Sequence, residues 1–157
     1  EVVASFAQLA PRDHALVLKH HPMDRPFRDY STLFDSLRRE HGLEGRLFYV
    51  HDLHLPTLLK HARGTVTINS TVGLSSVHHR TPTKVMGNAI YDMPGLTHQG
   101  SLASMWHAPQ PVDVETYHAF RWWLLQHNQA NGNIMRRLPG VGTPTGVAWH
   151  AASAGKP

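Results

Sequence analysis

The stretch that decides the fold is Thr65-Val66-Thr67-Ile68-Asn69-Ser70-Thr71-Val72-Gly73-Leu74. Thr65 to Asn69 is a short run rich in β-branched residues, the composition of a buried strand. Ser70 and Thr71 follow at once with the small hydroxyls that open helices, and the helical pattern continues to about His79. A strand passing straight into a helix is half of a crossover unit. The same alternation extends in both directions. Upstream, Ala15 to Lys19 and Arg46 to Val50 read as strands, and Arg28 to His41 as a helix with Tyr30, Leu33, Phe34 and Leu37 on one stripe. Pro56 opens a further helix to about Arg63, which Gly64 ends. Downstream, Pro82 precedes a fourth strand around Lys84 to Met86.

At the start of the chain, Val2, Phe6 and Leu9 give a helix that Pro11 stops, so the sequence opens inside a helical pattern and reads as part of a longer protein. Asn88 to Ala108, rich in Gly, Pro and polar residues, reads as ordered loop. Val112 to Gln129 reads as a long helix. Strand and helix alternating four times imply an α/β domain over residues 1–136. It has a mostly parallel, Rossmann-like sheet with helices on both faces, followed by a mobile Gly/Pro/Ala-rich tail over 137–157. In such sheets ligands collect beyond the carboxyl ends of the strands.

Composition narrows the function classes. The chain has 157 residues, 41% hydrophobic and 17% charged, which excludes bulk disorder. No apolar run is long enough to cross a bilayer. Cysteine is absent, so neither a disulfide framework nor a thiolate metal cluster is available. The formal charge of +4 is too small an excess to argue for nucleic acid, and no nucleic-acid partner is expected. The unusual number is 14 histidines.

The candidate site residues lie at strand ends. The first strand finishes in Lys19-His20-His21-Pro22, with Asp24 and Arg25 just beyond. Lys19, Arg25 and an imidazole there suit a phosphate or carboxylate. Because neighbours on a strand face opposite ways, His21 is the stronger binding candidate, and one of the two histidines is expected to be a buried hydrogen-bond partner. At the third strand end, Asn69, Ser70 and Thr71 precede a helix whose free N–H groups and dipole favour an anion, and Gly73 permits close backbone approach. Ordinary capping by Ser70 is the competing account, and the two are compatible. The second strand ends in His51-Asp52-Leu53-His54, which suits the wall of a cleft. No third ligand follows at a recognisable spacing, so no metal site is expected, although a histidine-based metal protein remains an alternative reading. Trp122 and Trp123 fit a core or interdomain contact, and Trp106 a cleft wall.

The ordered series Lys19-His20-His21-Pro22-Met23-Asp24-Arg25, Tyr49 to Pro56, Asn69 to Leu74, Pro82 to Gly87, Ala89 to Asp92, Pro94 to Thr97 and Gln99 to Leu102 closely resembles the capsule polysaccharide biosynthesis and export family of Gram-negative bacteria. The likeness covers about residues 1 to 132. Members are β-Kdo glycosyltransferases that use CMP-Kdo to build a linker on lysophosphatidylglycerol, and their layout is similar to GT-B transferases. The resemblance implies that His21-Pro22 is the His-Pro motif contacting the CMP phosphate, with His21 stabilising the leaving group, and that Ser70 and Thr71 also hold phosphate. It implies a donor-binding, carboxyl-terminal half with CMP-Kdo as substrate and no cofactor. The general base and the acceptor site would lie in an amino-terminal half absent here, so the fragment is expected to be inactive alone. The other expected partners are a glycolipid acceptor at the inner membrane surface and a capsule assembly or export complex. The location implied is cytoplasmic, at the periphery of the inner membrane. The alternative of another class is a non-catalytic export scaffold.

Overall fold

The computed structural model describes residues 1–21 and 27–127. Ten elements follow in order: α1 (Val2–Leu9), β1 (Leu16–Lys19), α2 (Ser31–His41), β2 (Leu47–Val50), α3 (Leu55–His61), β3 (Thr65–Thr67), α4 (Thr71–His78), β4 (Thr83–Val85), α5 (Leu102–His107) and α6 (Val114–His127). The expected tail over 137–157 lies outside the described residues. Residues Glu1–Asp113 form one compact unit, and a second begins at Val114.

The fold is α/β with small parallel sheets. β1 pairs with β2 in register Leu16↔Leu47 to Lys19↔Val50, and β3 pairs with β4 from Thr65↔Thr83 to Thr67↔Val85. The pairing is parallel, as expected, but the ladders form two two-stranded sheets among the described residues rather than one continuous sheet. Each strand has only three or four residues, so each ladder has few bonds with which to recruit another neighbour.

Alternation along β1 and β2 sends Leu16, Leu18, Leu47 and Tyr49 inward. There they meet Phe6, Ala10, Phe34 and Leu43, with Leu37 and Trp106 packed around them. Their opposite face carries Val17 and Phe48, cross-strand partners that stay 38% and 43% exposed. Helices on both faces, expected from the strand–helix alternation, are therefore not found over this side of the pair among the described residues. Arg46 fastens the amino end of the layer: its Nε donates to the His14 carbonyl at 3.0 Å and its Nη2 to the Pro11 carbonyl at 2.7 Å.

Around β3 and β4 the core is Leu59, Val77, Val85, Tyr91, Leu96 and Met105. Buried hydroxyls accompany it and each is satisfied, as buried polar groups must be. Ser76 Oγ donates to Thr65 Oγ1 at 2.8 Å, Thr81 Oγ1 to the Leu59 carbonyl at 2.7 Å, and Thr83 Oγ1 to the Thr81 carbonyl at 2.9 Å.

The segment read as loop, Asn88 to Ala108, contains α5. Ser101 caps it, its Oγ accepting from the Ser104 N–H at 3.3 Å. Six residues are too few to set up a helical stripe, and this is why periodicity missed it. Trp106 is consequently a core residue and no cleft wall: its ring stands edge-on to Phe6 at 5.4 Å and its Nε1 donates to Ser5 Oγ at 3.0 Å. His98 anchors the same segment. Its Nδ1 accepts from the Gln110 N–H at 3.2 Å, and its Nε2 lies 2.8 Å from Ser104 Oγ and 3.2 Å from the Ser101 carbonyl. In the second unit, α6 buries none of its side chains, and Trp122 and Trp123 are exposed.

Candidate functional site

Two groups of polar residues occupy strand carboxyl ends. At β1, the ladder continues one step past Lys19, the His20 N–H donating to the Val50 carbonyl at 2.9 Å. That step turns His20 inward and leaves His21 exposed, the alternation expected of adjacent strand residues. His20 is only 4% exposed, and its Nδ1 lies 2.5 Å from Tyr49 Oη. Its ring packs 5.4 Å from Tyr30 and 5.2 Å from His51. His20 is thus the satisfied core histidine of the pair. Lys19 is half-buried, its Nζ reaching the His20 carbonyl at 3.5 Å. Pro22 and Arg25 lie outside the described residues.

His51 is half-buried beside Tyr49, ring centroids 4.7 Å apart, with its Nδ1 enclosed and without a hydrogen-bond partner among the described residues. Asp29 borders this cluster. Its Oδ1 accepts from the Ser31 hydroxyl at 2.6 Å and the Ser31 N–H at 2.9 Å, and these bonds hold its carboxyl below the usual range, with His51 and His20 adding to the effect. Sequence reasoning missed Tyr49, Tyr30 and Asp29 as parts of this group. Tyr49 was legible as a strand residue, but nothing in the spacing announced its partner.

At β3, Ser70 is the N-cap of α4, and its Oγ accepts from the Val72 N–H at 3.1 Å. Its carbonyl accepts from the Gly73 N–H at 2.9 Å and also from the Tyr91 hydroxyl. Asn69 and Thr71 are exposed on either side of this cap. The close approach expected at Gly73 is made from within the chain. An added Cβ there would stand 2.2 Å from Tyr91 Oη and 2.5 Å from its ring carbons, so the glycine makes room for the buried Tyr91 ring. Burial, and secondarily Asp92, pushes the Tyr91 phenol above its usual value, which keeps it a donor to Ser70.

The structure therefore brings His20, His51 and Tyr49 together at one strand end and Asn69, Ser70, Thr71 and Gly73 at another. These ends belong to different ladders, so strand register does not itself join the two groups. Chemically, the second offers exposed hydroxyl and amide side chains around the positive end of a helix, and the first an exposed imidazole carried on a rigid aromatic base. Among the described residues, no three His, Asp or Glu side chains are grouped to hold a metal ion.

An α/β chain of short parallel strand pairs joined through helices, with two groups of polar residues at strand carboxyl ends, has the layout of the crossover class. Its sequence places it more narrowly. The chain belongs to the capsule polysaccharide biosynthesis protein family, whose model matches residues 1–135. It is 50% identical over 138 residues to the capsule polysaccharide modification protein LipB of Neisseria meningitidis serogroup A, covering 87% of this chain and 33% of that protein. It is likewise 50% identical over 131 residues to the capsule polysaccharide export protein KpsS of Escherichia coli, covering 83% of this chain and 34% of the relative. The chain spans about a third of the length of the curated relatives it matches. No solved structure matches it significantly. No helix among the described residues is long and apolar enough to cross a membrane.

Proposed function

We propose that this chain is the donor-binding part of a capsule-linker glycosyltransferase that uses CMP-Kdo, with a Rossmann-like, GT-B-type layout completed by the rest of the protein. The observation that carries this reading is the amino terminus of α4, where Ser70 caps the helix and Thr71 and Asn69 stand exposed beside it. A phosphate placed there meets the exposed Thr71 hydroxyl, the Asn69 amide and the helix dipole together, while the Val72 and Gly73 N–H groups are already bonded to Ser70. Lys19, with Arg25 near it in sequence, supplies positive charge from β1, His21 adds an exposed imidazole, and His51 shapes the wall beside it. As the bond between the anomeric carbon and the phosphate oxygen breaks, the electron pair stays on CMP. Groups already aimed at that oxygen lower the barrier by stabilising its growing charge. The base that activates the acceptor, a lysophosphatidylglycerol-linked glycolipid, belongs in this proposal to the part of the enzyme outside this chain. The setting proposed is cytoplasmic, beside the inner membrane and a capsule export assembly.

The test is calorimetric titration of CMP into the chain and into His21→Ala and Ser70→Ala. A hydrogen bond to a charged group contributes about 1.5–3 kcal/mol, so each substitution is expected to weaken binding by roughly 10- to 100-fold. Unchanged CMP affinity in both variants, with circular dichroism showing an intact fold, refutes the assignment.

The exposed Trp122 and Trp123 on α6 favour a second reading, in which the chain is a non-catalytic module of an export assembly. That reading expects no CMP affinity in the unmodified chain, and the same titration separates the two.

A further inference from the structure

Between Asp52 and Asp92 the sequence has no Asp or Glu, yet it contains Lys60, Arg63, Arg80, Lys84 and four histidines. The topology sorts most of these cations to one edge. α3 runs from the carboxyl end of β2 toward the amino end of β3, and α4 from the carboxyl end of β3 toward the amino end of β4. Lys60, His61 and Arg63 therefore close the end of α3, and His78, His79 and Arg80 the end of α4, at the edge opposite Ser70 and Thr71. All but the half-buried His79 are exposed. The two helix ends are stitched together beneath them by the bond from Thr81 Oγ1 to the Leu59 carbonyl and by the Thr65 N–H donating to the Pro82 carbonyl at 2.8 Å. Partial burial first, and then His78 and Lys60, disfavour the protonated form of His79, and the last two place these groups within electrostatic reach of one another. Lys60, Arg63 and Arg80 form no ion pair among the described residues.

Cations at helix carboxyl ends are favoured by the helix dipole, and that alone accounts for Lys60, His61 and His78. It does not account for Arg80. The Thr81 N–H donates to the Ser76 carbonyl and the Arg80 N–H to the Val77 carbonyl, each at 3.0 Å, the Schellman closure of a helix. Arg80 occupies the left-handed position of that closure, with φ of 60°. The end of α2 fills its left-handed position with Gly42, φ 61°, the residue that suits this backbone. An arginine held where a glycine fits better keeps a charge at the cost of strain, and such local rule-breaking marks a used surface.

We propose that this edge docks on an anionic phospholipid surface. The exposed large apolar residues of the acid-free stretch, Leu53, Ile68 and Ile90, all lie toward or beyond the strand carboxyl ends, away from the cations. The patch thus lacks the apolar anchors on which protein interfaces concentrate their affinity, and it suits the diffuse attraction of headgroup phosphates. Docking in this way leaves the Ser70 edge facing away from the bilayer. The inference does not depend on what binds at Ser70.

The experiment is co-sedimentation of the full chain with mixed phosphatidylcholine–phosphatidylglycerol vesicles and with pure phosphatidylcholine vesicles. Binding is expected only to the anionic vesicles and is expected to fade as salt is raised. The variant K60Q/R63Q/R80N is expected to bind about 100-fold more weakly, at a contribution of about fivefold per basic residue near the surface. The charge-matched variant R12Q/R39Q/R121Q is expected to lose less than tenfold. R80G, whose glycine suits the left-handed backbone, keeps the test open should the triple variant fail to fold, and is expected to lose about fivefold. Equal binding to both vesicle types overturns the proposal, as does equal loss in the two triple variants. Capture of polyglutamate without capture of vesicles also overturns it, assigning the edge to an acidic polypeptide.

Discussion

Replacing Gly73 with alanine tests the packing beneath the proposed phosphate cradle, because two opposing effects there differ in sign. Helix propensity alone favours the change: Gly73 lies in the first turn of α4, and alanine is better than glycine inside a helix by about 1 kcal/mol. The structure opposes it. The new methyl group would lie 2.2 Å from Tyr91 Oη and 2.5 Å from Cζ and Cε2, well inside contact distance of a ring that is 2% exposed. Overpacking of this kind costs about 1–3 kcal/mol. Moving the ring also breaks the hydrogen bond from the Tyr91 hydroxyl to the Ser70 carbonyl, about 1 kcal/mol more. The net expectation for Gly73→Ala is a loss of roughly 1–3 kcal/mol, read from denaturant unfolding followed by circular dichroism. The control is the same change made in a Tyr91→Leu background. There the obstacle is gone and the added methyl should cost nothing or recover part of its helix propensity, giving a favourable coupling of about 2 kcal/mol between the two sites. If Gly73→Ala stabilises the otherwise unmodified chain, or if the two changes are additive, Tyr91 does not fill the space in front of Gly73 and the reasoning fails.

Two further outcomes are expected. Arg80→Gly should raise stability by about 0.5–1 kcal/mol, since relief of a left-handed residue of about 1–2 kcal/mol exceeds the added freedom of glycine in the unfolded chain, and a drop in the denaturation midpoint would contradict this. His79 should make stability fall on acidification. Partial burial first, then His78 and Lys60, lower its proton affinity in the fold. The unfolded chain therefore takes up the proton first, and this contribution is fully present above about pH 6.5 and is lost as pH falls below it. His79→Gln should flatten that part of the stability profile, and an unchanged slope would remove His79 from the account.

Much of the fold was legible because hydrophobic pattern and punctuation agreed. Pro11, Gly42, Pro56 and Pro82 fall at or next to element boundaries, and all four strands were readable from β-branched and apolar runs. The parallel sense of pairing followed from the crossovers. The extent of the sheet did not: sequence pattern says that a strand is apolar, not which neighbour it pairs with, so four strands read as one sheet although the ladders form two pairs among the described residues. At the site, the capping role of Ser70 and the inward turn of one histidine were legible from local rules. Tyr91 was not, since it reaches Ser70 from 21 residues away and only its three-dimensional position explains Gly73. Asp29 escaped for the opposite reason. Its local bonds to Ser31 look like an ordinary turn, and its nearness to His51 and His20 arises only once α2 packs on the β1–β2 pair.

The two-pair arrangement also bears on the order in which the chain acquires structure. Within each ladder the paired strands are separated by one helix and its loops, so neither pair needs a distant segment to begin forming. Closing a short loop costs less chain entropy than bringing together the ends of a long one, and local topologies fold faster for that reason. During synthesis, β1 can zip onto β2 before β3 has left the ribosome, and β3 onto β4 soon afterwards. Early formation of these modules shortens the time for which the inward-facing Leu16, Leu18 and Leu47 stand open to a neighbouring chain.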